Sequence, residues 1–596
     1  MPNSGAGICA IKDEFIVKKT GINNDDEKKS FLGKHKLIDD SQKTNDETEI
    51  KIAKVESSEA LKKVKEKKRG QNKARPKTFQ DNKESKPCPS IIDVTSSEEK
   101  QSCQFVNCKY IHNPLEYLKC KAKDIGEVCH LFTLRGRCPR GLACRFGSQH
   151  ISAEGCNKVD EEKVKEWKED TFNSIKPLLQ TQLQKRKYDF SLAERLVKAI
   201  DTRNKPGGEK STESNENEYS EKTNKIGAIL DEDIIKLLSR EKKKIDWHNK
   251  LYLSPLTTVG NLPFRRICKN FGADITCGEM AVCESLLKGL KQEWALVKRH
   301  SSEDIFGVQI CGNNAYTITK VAQLIEENTE VNFVDLNMGC PIDLIYKKGA
   351  GCGMMHRLPA LEASIRCASN LLSVPFTVKI RTGVYQDKKI AHNLVPKIAT
   401  WGASLITLHG RSREARYTKL SDWEYIETCA KSASPCPVFG NGDILSYEDY
   451  VKKREIAPSV QGVMIGRGAL IKPWIFTEIK EQKLWDISSN ERFDILKKYT
   501  NYGLEHWGSD TQGVENTRRF LLEWLSFLYR YVPVGLLETP PQKINERPPT
   551  YRGRNDLETL MASGDCADWI KISEMLLGPV PDGFNFLPKH KANSYQ

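Results

Sequence analysis

The sequence predicts an α/β fold: a (β/α)8 TIM barrel with a C-terminal helical domain, preceded by small cysteine-rich modules and a charged tail. Three observations predict it. Eight short β-favouring runs, each followed by a helix-like stretch, lie between Leu251 and Leu470. That number of repeats in roughly 220 residues suits a closed barrel. Cysteine and histidine crowd together ahead of the barrel, and two amphipathic stretches follow it. A doubly wound open sheet is the alternative, but no G-x-G-x-x-G follows the first strand.

The chain has 596 residues, a formal net charge of +14 and 19 cysteines. The positive balance suits a polyanionic partner. No run is long and apolar enough to span a membrane, and no apolar signal core follows Met1. A cytoplasmic or nuclear protein is expected, in which clustered cysteines bind metal rather than form disulfides.

Residues 1–86 are polar and poor in aromatics, and are expected to be disordered. They contain the basic run Lys62-Lys63-Val64-Lys65-Glu66-Lys67-Lys68-Arg69, a candidate import signal or nucleic-acid arm. Residues 87–156 hold the cysteine clusters. Cys129, Cys138, Cys144 and His150 supply the three thiolates and one imidazole of a tetrahedral Zn2+ site. Upstream, Cys103, Cys108 and His112 repeat the end of that pattern, with Cys88 as the fourth ligand and Cys120 and Cys156 as rivals. The two groups resemble tandem CCCH zinc fingers, a family that binds RNA. Between their ligands, Phe105, Tyr110, Phe132 and Phe146 sit among basic residues, a pairing of stacking faces and charge suited to single-stranded RNA. Packing of the small fingers is the other use of these rings.

Residues 157–246 read as a charged helical and linker region, with a helix over 161–175 and a flexible stretch from Asn204 to Asn224. The barrel, residues 247–480, begins near Trp247. Its strands are expected at Leu251–Pro255, Ile275–Met280, Ile305–Ile310, Phe333–Asn337, Phe376–Ile380, Leu405–His409, Val438–Asn441 and Val463–Ile465. Ser421 to Glu424 reads as a capping box, Pro359 suits a first helical turn, and Gly272 suits a helix C-terminus.

Barrels carry their chemistry at the C-terminal strand ends. Here those ends present Pro255, Leu256 and Thr257; Gln309; Asn337 and Cys340; Lys379 and Arg381; His409 and Arg411; Asn441, Gly442 and Asp443; and Gly466, Arg467 and Gly468. Any one of these is also explained by a salt bridge or a satisfied core polar group, but together they form a constellation. The last two glycine-rich ends suit a phosphate group. Cys340 follows a buried strand and precedes the Gly-rich loop Lys347-Lys348-Gly349-Ala350-Gly351, so it is a candidate catalytic thiol beneath a mobile lid.

Six stretches carry a sharper resemblance: Leu336-Asn337-Met338-Gly339-Cys340-Pro341, Lys347-Lys348-Gly349-Ala350-Gly351, Val378-Lys379-Ile380-Arg381-Thr382-Gly383, Leu408-His409-Gly410-Arg411-Ser412-Arg413, Gly440-Asn441-Gly442-Asp443-Ile444 and Met464-Ile465-Gly466-Arg467-Gly468. The chain resembles the flavin-dependent tRNA-dihydrouridine synthases, and with paired fingers in front, the eukaryotic branch acting at uridine 47. The resemblance implies FMN over the barrel mouth, NADPH or NADH as reductant, hydride transfer to C6 of a uracil and protonation of C5 by Cys340. It implies that Pro255, Leu256, Thr257, Gln309, Lys379, His409, Asn441, Gly442, Asp443, Gly466 and Arg467 hold the cofactor. Asn337 and Arg411 are expected to face the uracil or its phosphate. It further implies a tRNA-binding helical domain over 481–596, where helices at 490–506 and 515–531 carry Arg518, Arg519 and Arg530. The expected partners are tRNA, with mRNA as a second candidate, and the chain is expected to act as a monomer holding two structural Zn2+ ions. Two rival readings are a flavin barrel acting on a small pyrimidine and a non-catalytic zinc-finger RNA-binding protein.

Overall fold

In the computed structural model, the described residues are 7–17, 86–96, 103–203, 242–415, 417 and 419–589. The basic run at 62–69 and the stretch 204–241 lie outside them. Eight parallel strands close into a barrel: β1 (Leu251–Leu253), β2 (Ile275–Cys277), β3 (Ile305–Cys311), β4 (Phe333–Asn337), β5 (Phe376–Arg381), β6 (Leu405–His409), β7 (Val438–Asn441) and β8 (Gly462–Ile465). Each strand pairs with the next, and β8 returns to β1. The strands are buried on both faces, which explains their near-continuous apolar runs.

The floor of the barrel is an aromatic plug. Trp247 stands edge-on to Phe333 at 5.8 Å and to Phe439 at 6.3 Å, and Tyr252 joins them. A volume of this size on one face directs ligands to the other, where the strand-end polar residues lie.

Around the strands the local signals mostly hold. Helix α1 (Leu262–Asn270) is capped by the Asn261 side chain, and Gly272 follows it with φ +90°. Pro359 sits in the first turn of the helix Leu358–Leu371. The helix Trp423–Ala433 is capped by Asp422, one residue later than expected. The Ser421 N–H is instead taken by the Asp443 carboxylate at 2.7 Å.

Strands β1 and β2 stop short of the expected Pro255 and Met280, the helix expected over 515–531 runs from Thr511 to Leu528, and three larger differences from the sequence reading lie ahead of the barrel. The helix expected over 161–175 stops at Glu166, because Thr171 and Phe172 pair antiparallel with Arg299 and His300. A strand partner more than a hundred residues away outweighs local propensity. The helices Pro177–Gln184 and Ser191–Arg203 belong to the barrel's outer layer rather than to a linker: Leu179, Leu183 and Ala193 join its core. The expectation of disorder up to residue 86 fails for residues 7–17. Cys9 and Ile11 are buried against Val532, Leu536, Leu537 and Tyr551, and Cys9 N–H donates to Arg547 O at 2.9 Å.

Beyond the barrel, α2 (Ser489–Trp507) and α3 (Thr511–Leu528) pack as an antiparallel pair. A capping box between Ser488 and Glu491 starts α2. Trp524 of α3 lies edge-on to Phe264 at 5.3 Å and donates its indole N–H to Leu470 O at 3.0 Å. The helical domain is thereby keyed into the barrel. No helix among the described residues is long and apolar enough to cross a membrane.

Candidate active site and metal centres

Strand register sets the site. Gln309 lies level with Asp335, Asn337 with Lys379, and His409 with both Arg381 and Asn441. Neighbours at one level of parallel strands share a face, so the pairing gathers these polar side chains at the barrel mouth.

Asp335, buried within β4, accepts from Gln309 Nε2 at 2.8 Å and from Thr377 Oγ1 at 2.6 Å. Gln309 Oε1 accepts from Asn337 Nδ2 at 2.8 Å. Asn337 Oδ1 in turn accepts from the backbone N–H groups of Gly339 at 3.2 Å and Cys340 at 2.9 Å. The chain of bonds has one direction, since a carboxylate only accepts. It runs from the barrel interior to the loop that carries the thiol.

Cys340 is 8% exposed. Burial pushes its thiol upward, against the fields of Arg381 and Lys379, so the proton stays on sulfur at neutral pH. Arg381 fixes the same loop by donating Nε–H to Gly339 O at 2.8 Å. Behind the thiol lies the Gly-rich loop. The expected mobile lid is a wall over residues 350–355: these residues are buried, and Cys352 N–H donates to Cys340 O at 3.3 Å. Gly351 has φ +56°, and a Cβ there would lie 3.0 Å from Cys340 O. Lys347 and Lys348 remain exposed at its rim.

Across the mouth, Lys379 reaches Asn441 Oδ1 at 3.4 Å, while Asn441 Nδ2 is anchored on Met464 O at 2.7 Å. Burial and the neighbouring Arg381 lower the Lys379 ammonium to about 8. His409 is held neutral by burial and by Arg381, Lys379, Arg411 and Arg467 around it. Pro255 and Leu256 are half-buried and Thr257 is exposed where β1 adjoins β8; an added Cβ on Gly466 would lie 3.7 Å from Leu256.

Asp443 occupies a left-handed turn, φ +54°, after Gly442. Its carboxylate takes Arg411 Nη2 through both oxygens, at 2.6 and 2.7 Å, and Arg467 Nη2 at 2.6 Å. Arg411 also donates to Lys419 O at 2.9 Å through Nε. The Arg411 guanidinium is thus committed to protein partners and is 2% exposed, so it holds the mouth together rather than reaching outward. Arg467 further contacts Asn545 Oδ1 at 3.2 Å, bringing the C-terminal region to the rim.

Sequence reading passed over Asp335 and Thr377 as plain strand residues. It also passed over Tyr417, whose ring stacks on His409 and covers Arg467 at 4.4 Å. An aromatic in an arginine-rich loop was the available signal for Tyr417.

The structure brings together both expected sets of metal-ligating residues. Ligand atoms of Cys129, Cys138, Cys144 and His150 lie within 4.8 Å of one another, as do those of Cys88, Cys103, Cys108 and His112. Cys88 therefore completes the first set, while Cys120 turns to Tyr117 O. A zinc ion fits the second set on a specific ground. His150 Nδ1 is bonded to Asn157 Oδ1 at 2.9 Å, which leaves its buried Nε2 facing the thiols with no partner. That is the usual arrangement of a metal-ligating histidine. The group Asp170, His300 and Glu505 is committed otherwise: His300 pairs with Asp170 at 3.0 Å, and Glu505 with Arg266 at 2.5 Å and His130 at 2.7 Å.

Residues 252–524 match the family model described as "Dihydrouridine synthase (Dus)". Proteins named "tRNA-dihydrouridine(47) synthase [NAD(P)(+)]-like" match along nearly the whole chain. The one from Xenopus laevis is 51% identical, over 100% of this chain and 97% of its own length. That from Homo sapiens is 52% identical over 94% of this chain and 88% of its own, and that from Arabidopsis thaliana 42% identical over 85% of each.

The chain belongs to the dihydrouridine synthase family. Membership extends beyond the barrel, because the alignments with relatives also take in the region of the finger ligands. Helix α2 lies within the residues that the family model matches, and α3 runs four residues past their end.

Proposed function

We propose that this protein reduces the C5–C6 double bond of a uridine in tRNA, at position 47, with FMN as bound carrier and NADPH, or NADH, as reductant. The carrying observation is the position of Cys340: a protonated thiol at the end of β4, fixed by Asn337 and flanked by Lys379 and Arg381. The names of relatives that align with 85 to 100% of the chain support the substrate and position.

FMN, when bound, supplies the hydride for C6 of the base. The donor set suits it: Lys379 is a desolvated cation beside the neutral amide of Asn441, with the Gln309 amide two strands away at the same mouth, a set matched to the cofactor's carbonyl edge. The turn at Gly442 and Asp443 and the β8 end at Gly466 and Arg467 would take the phosphate. Arg467 offsets its charge while Asp443 is neutralised by two arginines. His409, neutral and buried, would help to hold the cofactor.

Cys340 Sγ–H gives its proton to C5 as negative charge develops there. A thiol raised above its ordinary value stays protonated until that moment, and Arg381 and Lys379 then stabilise the thiolate left behind. The uracil must leave its stack to reach the mouth, at a cost of a few kcal/mol. Any unpaired uridine reaching the same thiol meets the same chemistry, so mRNA is included as a second substrate class. The chain acts as a monomer in this reading.

Incubation with FMN, NADPH and tRNA, followed by mass mapping of nucleosides, tests the proposal. A gain of two hydrogens on a single variable-loop uridine is the expected result. NADPH oxidation with no change in any tRNA would instead point to a small pyrimidine.

A further inference from the structure

The two fingers are built for different tasks. In the second, all four metal-ligating residues are fully buried, and the junction between α2 and α3 closes over them. Cys138 Sγ lies 3.4 Å from Ser509 Oγ, and Arg145 N–H donates to Ser509 O at 2.8 Å. Arg140 reaches Trp507 O at 3.3 Å and pairs with Asp510 at 3.5 Å. His130 pairs with Glu505 at 2.7 Å.

Its stacking rings and other arginines are engaged by partners within this chain, although Arg137 itself lies at the surface. Phe132 lies against His150 with ring centres 5.4 Å apart, and Phe146 packs on the barrel-domain core. Arg135 covers the Trp167 ring at 4.8 Å, Arg137 pairs with Asp93 at 2.8 Å, and Arg145 donates to Lys123 O at 3.0 Å.

The first finger shows the opposite pattern. Between Cys103 and Cys108, Phe105 is 77% exposed and Val106 is 100% exposed. Lys109, beside Cys108, is exposed too, as are Lys119 and Lys123 on the same module. A large aromatic ring held in water by a loop between two ligand cysteines, on a module that also exposes lysines, is costly to leave unpartnered and suited to a base.

We infer that only the first finger reads RNA, through the Phe105 tip, and that the second is an intramolecular bracket fixing the first to the catalytic unit. Asp93, Val94 and Arg137 transmit this fixing: Arg137 and Asn157 both bond Asp93, and Asn157 N–H donates to Val94 O at 2.7 Å. The inference rests on tRNA being the substrate. Its consequence is geometric: the docked second finger holds the Phe105 tip at a set distance from the barrel mouth, so the finger measures position on the tRNA.

The test uses the full chain with tRNA carrying 4-thiouridine. Photocrosslinked peptides should contain Phe105 or Tyr110 and lack Phe132 and Phe146. In parallel, Phe105→Ala should bind tRNA about tenfold more weakly or worse, the range seen for loss of one stacked base, with the zinc content of the wild type. Crosslinks on Phe132 or Phe146, or wild-type affinity in Phe105→Ala, would overturn the division of labour while leaving the synthase reading intact. Failure of the wild-type protein to modify any tRNA would instead remove the reading on which the inference rests.

Discussion

Gln309 Nε2 donates to the Asp335 carboxylate at 2.8 Å, and that one bond orients every amide between the barrel interior and Cys340. With Nε2 committed to Asp335, Gln309 must offer Oε1 to Asn337, and Asn337 must offer Oδ1 to the Cys340 N–H.

Asp335→Asn removes the direction. An amide in place of the carboxylate brings a second donor against Gln309 or Thr377, and an unmatched buried donor costs about 1–3 kcal/mol. The variant should fold and keep FMN, yet reduce tRNA about 10- to 100-fold more slowly in single turnover. A wild-type rate would show that Asp335 does not position the thiol loop.

Gly351→Ala should act on the same loop from the other side. The residue has φ +56°, and its new Cβ would press on Cys340 O at 3.0 Å. Strain of about 1–2 kcal/mol is expected, relieved by displacement of Cys340. The measured turnover should fall while tRNA affinity, read by filter binding, stays at the wild-type level.

The eight strands were legible because each is a short, mostly apolar β-favouring run, and their ends named Lys379, His409 and Cys340 without help from the structure. Asp335 was visible but unreadable: its meaning depends on Gln309, which is 26 residues away and adjacent only through strand register. Arg518 misled for the opposite reason. On a helical wheel it looks like a basic face for RNA, but it is 1% exposed and bonded to Glu515, Ser573 and Leu577 O. The apolar pair Cys9 and Ile11 within a polar tail was the unread sign that residues 7–17 dock.

Lys379 makes cofactor binding pH-dependent. Folding lowers its ammonium from 10.5 to about 8, so between these values the unfolded chain binds more protons and stability of the free protein rises with pH. Affinity for anionic FMN runs the other way, because binding needs the charged form. The FMN Kd, followed by flavin fluorescence, should rise about tenfold per pH unit above about 8. Lys379→Arg should stay flat across that range, and Lys379→Met should bind weakly and flatly.

Loss of the second metal centre should loosen the bracket. Cys138→Ala removes one thiolate and the contact to Ser509 Oγ. Zinc content should fall by one ion per chain, and an early unfolding transition should appear about 5 °C or more below that of the wild type. FMN binding should persist, since none of the mouth residues touches this finger. Unchanged zinc content would show that Cys138 is not a ligand.

The most direct measurement is dihydrouridine formation by Cys340→Ala and the wild type in single turnover, each loaded with FMN, reduced by NADPH and mixed with tRNA. The account predicts flavin content and tRNA binding like the wild type, with product formed at least about 100-fold more slowly for want of the acid. Product formed at the wild-type rate would contradict it and remove Cys340 from the chemistry.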